Sequence, residues 1–378
     1  PGSIMKALTS AMVLETGTAD AYTTVSAPDY MRLDFAGGWI KDSFGHEPYN
    51  LTLGGVLRFS SNTGMSNFGV KIDKETRYNY LQKFGFGSVS PLRFEGESSG
   101  ILHNYKDWDK MTNYATTYGQ GISVTGIQMA YAYQAMANQG VRLDPILVEN
   151  CTAEDGTVLF EPKQNATRVI SKETAKLNLN LMEKVVEFGG VGQNAAIDGY
   201  RVAGKTGTSN DEKDAWFVGY TPDLVAGVYI GFDTPAPLGR GSTGGSLAAP
   251  VFNDFMQMAT ANTPPGKFFV PEGMSFIPVN RTTGMAAFDG DPETIIEAFK
   301  PGTGPADSFS VIGMEEYVAP EEILRQSPQA NQAVTSGSGG LFRPGEAVAV
   351  VVSLTPDGAI ARPLSDPGLT EFVVVEPI

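Results

Sequence analysis

Three short groups of residues in this chain carry side chains suited to acyl transfer. The first is Ser3-Ile4-Met5-Lys6. On a helix, a spacing of three puts the serine hydroxyl and the lysine amine on one face, a turn apart. A serine hydroxyl is a poor nucleophile until a nearby base takes its proton. A lysine that is desolvated and flanked by cationic groups is neutral enough to do so. Pro1-Gly2 ahead of Ser3 place it at a helix N-terminus, where the dipole favours developing negative charge. The second group is Ser60-Ser61-Asn62, two hydroxyls and an amide in a polar turn. The third is Lys205-Thr206-Gly207-Thr208: a cation, two hydroxyls and a glycine through which a strand can approach a ligand closely. Taken singly, each also reads as ordinary structure: a capping serine with a surface lysine, a turn, a strand end.

The third group competes with another pattern. Gly199 to Thr206 matches the phosphate-binding loop G-x-x-x-x-G-K-[ST]. That loop needs an apolar strand before it and a helix starting at the Lys-Thr pair. Here "GQNAAID" precedes Gly199 and Gly-Thr-Ser-Asn-Asp follows Thr206, a helix breaker and a hairpin signal. The strand falls inside the pattern instead, at Tyr200 to Ala203. The context excludes nucleotide binding.

Composition narrows the chemistry further. The chain has 378 residues, enough for two or three domains, and 42% of them are hydrophobic, as in a globular protein. A formal charge of −15 lacks the basic footprint of a nucleic-acid binder, so no such partner is expected. The single cysteine, Cys151, cannot form an internal disulfide or a Cys-rich zinc site, and no metal or cofactor is expected. The two histidines, His46 and His103, read as loop residues, so the base for any nucleophile should be something else. No apolar run approaches the ~20 residues of a membrane span. The chain starts Pro-Gly-Ser without an initiator Met or a signal segment, and is expected to be a piece of a longer protein.

These residues must be held by recognisable elements. Ile4, Leu8, Met12 and Leu14 fall near one helical stripe that Gly17 stops. Residues 20 to 50 look loop-rich. "LTLGGVLRFSSNTGMSNFGVKI" reads as helix, turn, helix. Thr125 and Gln128 form a capping-box pattern opening a helix through Ala137, with Gly140 past its end. Another helix is predicted over roughly 172 to 187. "YRVAGKTGTS", "DAWFVGYTP" and "LVAGVYIGF" read as an antiparallel meander, in which Trp216 and Tyr229 pack the sheet. "GSTGGSLAAPVFNDFMQMA" enters a helix through Pro250. After about 262 the texture turns Pro- and Gly-rich, with a hairpin at "FIPVNRTTGMAAF", loops over 301 to 345, and a strand–turn–strand at "EAVAVVVSLTPDGAIARPL".

The order Ser-x-x-Lys, Ser-x-Asn, Lys-Thr-Gly with these flanks resembles the transpeptidase domain of penicillin-binding proteins over most of residues 1 to 260. "YGQGISVTGIQMAYAYQAMANQG" is similar to class B, cell-division-type members. "AGKTGTSNDEKDAWFVGYTPDLVAGVYIGFD", "LGRGSTGGSLAAPVF", "EAFKPGTGP" and "TSGSGGLF" resemble class A, bifunctional ones. The implied fold is α/β (α+β): a central antiparallel β-sheet flanked by helices, with an all-helical subdomain and a small β-rich C-terminal extension. Residues 1–262 would form the transpeptidase domain and 263–378 the extension. Two departures stand out. The family places one or two strands before Ser-x-x-Lys, and usually a proline after it, where this chain has Ala7. The C-terminal strand pair at 346 to 364 resembles those missing strands. Either it fills the open sheet edge, as in a circular permutation, or it belongs to an accessory β domain.

The resemblance also implies roles. Ser3 would be the nucleophile, Lys6 its base, Ser60 a proton relay, and Asn62 an orienting group for Lys6 and the substrate amide. Lys205 would face the substrate carboxylate, Thr206 and Thr208 would bind it, and Gly207 would allow the close approach. Backbone N–H groups of Ser3 and Thr208 would hold the oxyanion. The substrate would be a peptidoglycan stem peptide ending in D-Ala-D-Ala, with β-lactam antibiotics acylating Ser3 and cell-wall synthesis proteins as further partners. The full-length protein would face the periplasm or cell exterior, anchored in the cytoplasmic membrane. A D,D-carboxypeptidase, a serine β-lactamase using Glu95 or Glu97, and a catalytically degenerate penicillin-binding scaffold remain open alternatives. Arg240 is a further candidate for substrate contact, and Cys151 reads as inert.

Overall fold

The computed structural model describes residues 1–92 and 95–269, and beyond these 273, 275–280, 286–288, 290, 294–299, 305, 348–354 and 372–375. The chain divides into two compact units, Pro1–Phe269 with Pro344–Ile378, and Val270–Arg343.

The first unit begins with a 3₁₀ turn, Gly2–Ile4, that runs into helix α1 (Met5–Glu15). Sequence periodicity predicted one apolar stripe, but every residue from Met5 to Leu14 is buried. A helix apolar nearly all round is a core helix, and α1 carries Lys6, Thr9 and Ser10 inside with it. Helices α2 (Leu53–Phe59), α3 (Asn62–Gly69), α4 (Lys74–Phe84) and α5 (Lys110–Ala115) follow, the first two split by the Ser60 turn as expected. Helix α6 (Gly126–Ala137) opens with the predicted capping box: Gln128 N–H donates to Thr125 Oγ1 (3.2 Å) and Thr125 N–H to Gln128 Oε1 (2.9 Å). Helix α7 (Lys172–Val186) is capped by Ser171. Residues 20 to 50, expected as loops, hold two three-residue strand pairs, Val25–Ala27 with Tyr49–Leu51 and Tyr30–Arg32 with Trp39–Lys41. Strands this short leave no periodic signal to read.

Polar bonds from three directions fix α1. Tyr133 Oη on α6 donates to the Ile4 carbonyl (2.7 Å), Asn178 Nδ2 on α7 to the Ala7 carbonyl (3.1 Å), and Thr9 Oγ1 to the Thr117 carbonyl (2.8 Å).

The central sheet contains β1 (Ala203–Thr208), β2 (Asp214–Tyr220) and β3 (Leu224–Gly231), an antiparallel meander. β1 starts at Ala203, later than the Tyr200 expected, so Lys205 and Thr206 lie within the strand rather than at a helix start. Two more strands extend it: β4 (Val348–Leu354) runs parallel to β3, and β5 (Phe372–Val375) antiparallel to β4. The order is β5-β4-β3-β2-β1, which leaves β1 at the edge among the described residues. The second strand expected within 346 to 364 lies outside the described residues. Alternate residues of β2 serve opposite faces. Trp216, Val218 and Tyr220 join the core of α1, α6 and α7, while Phe217 joins the core of helix α8 (Ala249–Thr260), its ring 4.7 Å from that of Phe252. Trp216 and Tyr229 pack on each other, ring centroids 4.6 Å apart, as sheet residues.

In the second unit Ser275–Asn280 pairs with Thr294–Phe299, an antiparallel partner further along the chain than the predicted hairpin's own second half. Ala286 makes only an isolated bridge to Val279. Most of the stretch predicted as loop, 301 to 345, lies outside the described residues.

Backbone closeness at the start of α1 yields a stability prediction. Gly2 N–H donates to the Gly119 carbonyl (3.0 Å), and both glycines have positive φ, 58° and 90°. A Cβ on Gly119 would lie 1.9 Å from the Gly2 carbonyl oxygen. Gly119→Ala is therefore expected to destabilise the protein by about 2–3 kcal/mol, read by urea unfolding, because both the strained φ and a backbone clash must be relieved.

Candidate active site

Ser3 sits in the 3₁₀ turn one residue before its helix-entering Ile4, and Lys6 one turn on points back at it. Lys6 Nζ lies 2.7 Å from Ser3 Oγ, 2.6 Å from Asn62 Oδ1, 2.8 Å from the Ser60 carbonyl and 3.3 Å from Ser60 Oγ. Ser60 ends α2 in the left-handed region (φ 58°, ψ 36°). That conformation costs a non-glycine residue on the order of 1–2 kcal/mol. It turns the chain sharply between α2 and α3, presenting the Ser60 carbonyl and hydroxyl to Lys6 together. Ser61 then caps α3, accepting from Gly64 N–H at 3.0 Å, and leaves Asn62 at the first turn of that helix.

Lys205 arrives from the sheet. Its Nζ lies 3.0 Å from Ser60 Oγ and 3.2 Å from both the carbonyl and hydroxyl oxygens of Thr206. Both lysines are fully buried. Burial pulls Lys6 down to about 7, with the Asp42 carboxylate acting in the opposite direction. Burial and the like charge of Lys6 push Lys205 well below the usual amine range. Across one shared hydroxyl, desolvation and mutual repulsion favour a pair that holds a single positive charge.

β1 passes close over the Ser3 turn. A Cβ on Gly207 would stand 3.0 Å from the Pro1 carbonyl and 3.1 Å from Ile4 Cγ2, which is why glycine is there. Behind the strand, a π-helical turn at Gly244–Ala248 leads into α8, and Gly244 N–H donates to Thr208 Oγ1 (3.1 Å). The Thr206 hydroxyl accepts from Lys205 and the Thr208 hydroxyl from Gly244, so each keeps its own proton to donate. Ser3, Lys6, Ser60, Asn62 and Lys205 are thus joined by one set of contacts, with Thr206, Gly207 and Thr208 on the adjoining strand edge.

Other candidates lie elsewhere. Glu97 accepts from the Ser90 backbone N–H (2.9 Å), and neither it nor exposed Glu95 bonds to Lys6 or Ser60. Arg240 and Cys151 are exposed, and His103 is an exposed loop residue.

His46 is not the plain loop histidine expected from sequence. Its side chain is only 5% exposed and its Nε2 lies 3.1 Å from Asp42 Oδ2. Asp42 in turn accepts from the backbone N–H of Asn62 (2.6 Å) and of Thr63 (3.1 Å). Neither residue belongs to a motif, and their proximity to Asn62 comes from the Trp39–Lys41 strand, which the sequence did not reveal. Among the described residues no group of three or more His, Cys, Asp or Glu could hold a metal. None of the described helices is long and apolar enough to cross a membrane.

Comparison with known proteins identifies the family. Residues 1–257 match the family model of the penicillin binding protein transpeptidase domain. The chain is 34% identical over 273 residues to penicillin-binding protein PbpB of Mycolicibacterium smegmatis, covering 67% of this chain and 42% of that protein. It is 32% identical to penicillin-binding protein 1A of Neisseria cinerea, covering 72% of this chain and 33% of that one. A solved peptidoglycan synthetase from Bifidobacterium adolescentis superposes with a TM-score of 0.60 at 29% identity, over 72% of this chain and 50% of that one. Penicillin binding protein 3 of Mycobacterium tuberculosis, solved with aztreonam, gives 0.59 at 28% identity, over 71% of this chain and 64% of that one. The chain spans less than half the length of the curated relatives named here.

Proposed function

This chain belongs to the penicillin-binding protein transpeptidase family, and from that premise we propose that it is a serine D,D-transpeptidase acting on peptidoglycan stem peptides. The observation that carries the reading is the Lys6 amine, held at once by Ser3, Ser60 and Asn62. Ser3 Oγ attacks the penultimate carbonyl of a stem ending in D-Ala-D-Ala, and its proton passes to Lys6 Nζ. Backbone N–H groups of Ser3 and Thr208 hold the oxyanion. Collapse breaks the peptide bond. The leaving D-alanine nitrogen takes a proton from Ser60 Oγ, which Lys6 replaces. An amine from a neighbouring stem then attacks the ester and forms the cross-link, sending its proton back along the same relay and restoring Ser3.

The edge position of β1 suits this substrate, because an extended peptide can add to an open sheet edge through main-chain hydrogen bonds. Thr206 and Thr208 donate to the terminal carboxylate. That carboxylate, arriving beside Lys205, draws the shared positive charge onto Lys205 and leaves Lys6 as the neutral base. Asn62 holds the Lys6 amine and the substrate amide in register. Neither Glu97, whose Oε1 accepts from Ser90 N–H, nor exposed Glu95 hydrogen-bonds to Lys6 or Ser60, which favours transfer over β-lactam hydrolysis.

In this reading residues 1–262 carry the chemistry, and the 263–378 segment contributes strands to the sheet. The whole protein would work outside the cytoplasmic membrane, anchored there, with β-lactams as inhibitors and other cell-wall synthesis proteins as partners.

Intact mass after incubation with benzylpenicillin tests the proposal. A stable gain of one whole penicillin is expected. Rapid loss of the adduct would point to a β-lactamase, and no adduct on a folded protein to a degenerate scaffold. A second expectation concerns pH. Only the unprotonated amine accepts the Ser3 proton, so the acylation rate should rise with pH through about 7 and level off above it. Stopped-flow acylation by a fluorescent penicillin between pH 5.5 and about 9 reads this directly; a flat profile would remove Lys6 as the base.

A further inference from the structure

We propose that Asp42 and His46 are positioning residues of this site, a carboxylate–imidazolium pair that anchors Asn62 and balances the charge around Lys6. The inference rests on the reading of Lys6 as the base. Its geometry is independent of that reading.

Asp42 is buried at the N-terminus of α3, its side chain 3% exposed. Its Oδ1 takes the N–H groups of Asn62 and Thr63, and Asn62 Nδ2 donates to the Lys41 carbonyl (2.8 Å). Backbone and side chain of Asn62 are thereby pinned to one dipeptide, Lys41-Asp42, while its Oδ1 faces Lys6 Nζ. Those N–H groups at the start of the helix stabilise the carboxylate without neutralising its charge. His46 supplies the compensation. Its Nδ1 lies 2.7 Å from the Glu47 carbonyl, which can only accept, and its Nε2 lies 3.1 Å from Asp42 Oδ2. Both ring nitrogens face acceptors, and only an imidazolium donates from both. Tyr49 stacks on the ring at 4.4 Å with planes 6° apart, and Phe44 lies 5.3 Å away.

The charged groups around the pair all act in defined directions. At His46, burial works against the charge, but the Glu47 carbonyl, Asp42 and Asp29 outweigh it and raise its pKa above the ordinary histidine value. The imidazolium is therefore present below that raised value and lost above it. At Lys6, burial lowers the pKa and Asp42 is the carboxylate that raises it, while Lys205 adds like charge from the sheet side. Asp42 thus favours the Lys6 ammonium, and a charged His46 offsets Asp42. Lys41 contributes its carbonyl, and its side chain is exposed.

Two substitutions separate positioning from packing, because they are expected to move Lys6 in opposite directions. Asp42→Asn removes the negative charge, so the pH midpoint of acylation should fall. His46→Gln keeps an N–H donor for Asp42 but removes the positive charge, so the midpoint should rise. Each shift is expected to be about 0.5 pH unit or more. His46→Ala, which also loses the donor, should slow acylation about tenfold at its plateau by loosening Asn62, and the glutamine variant should recover most of that loss. Acylation by a fluorescent penicillin reads these rates, with thermal melts to confirm folding. A carbon-13 NMR titration of Lys6 Cε in each folded variant reads the midpoint whether or not Ser3 reacts. If wild type takes up no penicillin but the NMR midpoints still diverge, the transpeptidase reading fails and the pair stands. Midpoints that coincide in wild type, Asp42→Asn and His46→Gln would overturn the proposal.

Discussion

A Ser3→Ala variant is expected to fold, to bind penicillin weakly and reversibly, and to form no covalent adduct, a loss on the order of 10⁶ in acylation rate. The prediction is specific because a second serine hydroxyl competes for the role. Ser60 Oγ lies within reach of both amines, 3.3 Å from Lys6 and 3.0 Å from Lys205, whereas among the described residues Ser3 Oγ bonds to Lys6 alone, at 2.7 Å. Ser60 is held between two donors in a left-handed turn, the geometry of a relay that passes protons without leaving its place. Ser3 lies on the 3₁₀ turn beneath β1, flanked by Gly2, where a Cβ would stand 3.1 Å from the Thr208 carbonyl, and by Ile4, against which Gly207 packs. A carbonyl carbon lying along that edge would meet Ser3 Oγ and the β1 N–H groups together. Proteolysis of the wild-type adduct and mapping of the modified peptide should place the mass on Ser3. An adduct on Ser60, or undiminished labelling of the alanine variant, would reverse the two roles.

The sequence disclosed the residues that gather around Lys6 more readily than the frame that gathers them. Ser3, Lys6, Ser60, Asn62 and Lys205 are spread over 200 positions, yet each is tied to a local pattern: an i, i+3 pair, a cap-forming turn, and a glycine-bearing strand. Local rules placed the elements that hold them with similar success. The capping box at Thr125 and Gln128 marked the start of α6, and Pro250 lies at the start of α8. What stayed hidden depends on tertiary contact. α1 has a stripe in sequence and none in the fold, because α6, α7 and the Thr117 segment surround it. The late start of β1 reflects pairing with β2, Ala203 opposite Tyr220, and no property of Tyr200 itself. Asp42 and His46 were illegible for the same reason. A carboxylate four residues before a histidine is uninformative until a short strand carries it to the N-terminus of α3. The phosphate-loop pattern fails on the same ground: Gly204 sits inside a strand, one residue from its start and paired with Gly219, where no phosphate could be encircled.

Lys6→Met should separate the catalytic and structural consequences of one buried amine. Methionine has a similar length and no amine to accept a proton, so acylation should fall by about 10³–10⁴-fold and lose its rise with pH. The loss follows from position: Lys6 is the side-chain amine hydrogen-bonded to Ser3 Oγ among the described residues, and Lys205 reaches Ser60 instead. Stability should respond in a way that a mere packing defect would not. Wild-type Lys6 has an ordinary amine affinity when unfolded, near 10.5, and about 7 when folded. Between those values the unfolded chain binds the extra proton, so the stability of wild type rises with pH across that window. Below about 7 the folded protein carries the full cost of a buried ammonium. The methionine variant has no such proton, so wild-type stability relative to the variant should increase steadily from pH 7 toward pH 10. Urea melts of both proteins at matched pH supply the comparison, with the titrating groups other than the coupled Lys205 cancelling to first order. A difference that stays constant across the window would mean that Lys6 keeps its ordinary affinity, and an ammonium could not then take the Ser3 proton. A rising difference together with the lost pH profile would tie the instability of this amine to its use. The helix that buries Lys6, and the single carboxylate at Asp42 that opposes its discharge, would then be the means by which the fold keeps a lysine basic enough to receive a proton and neutral enough to be free for one.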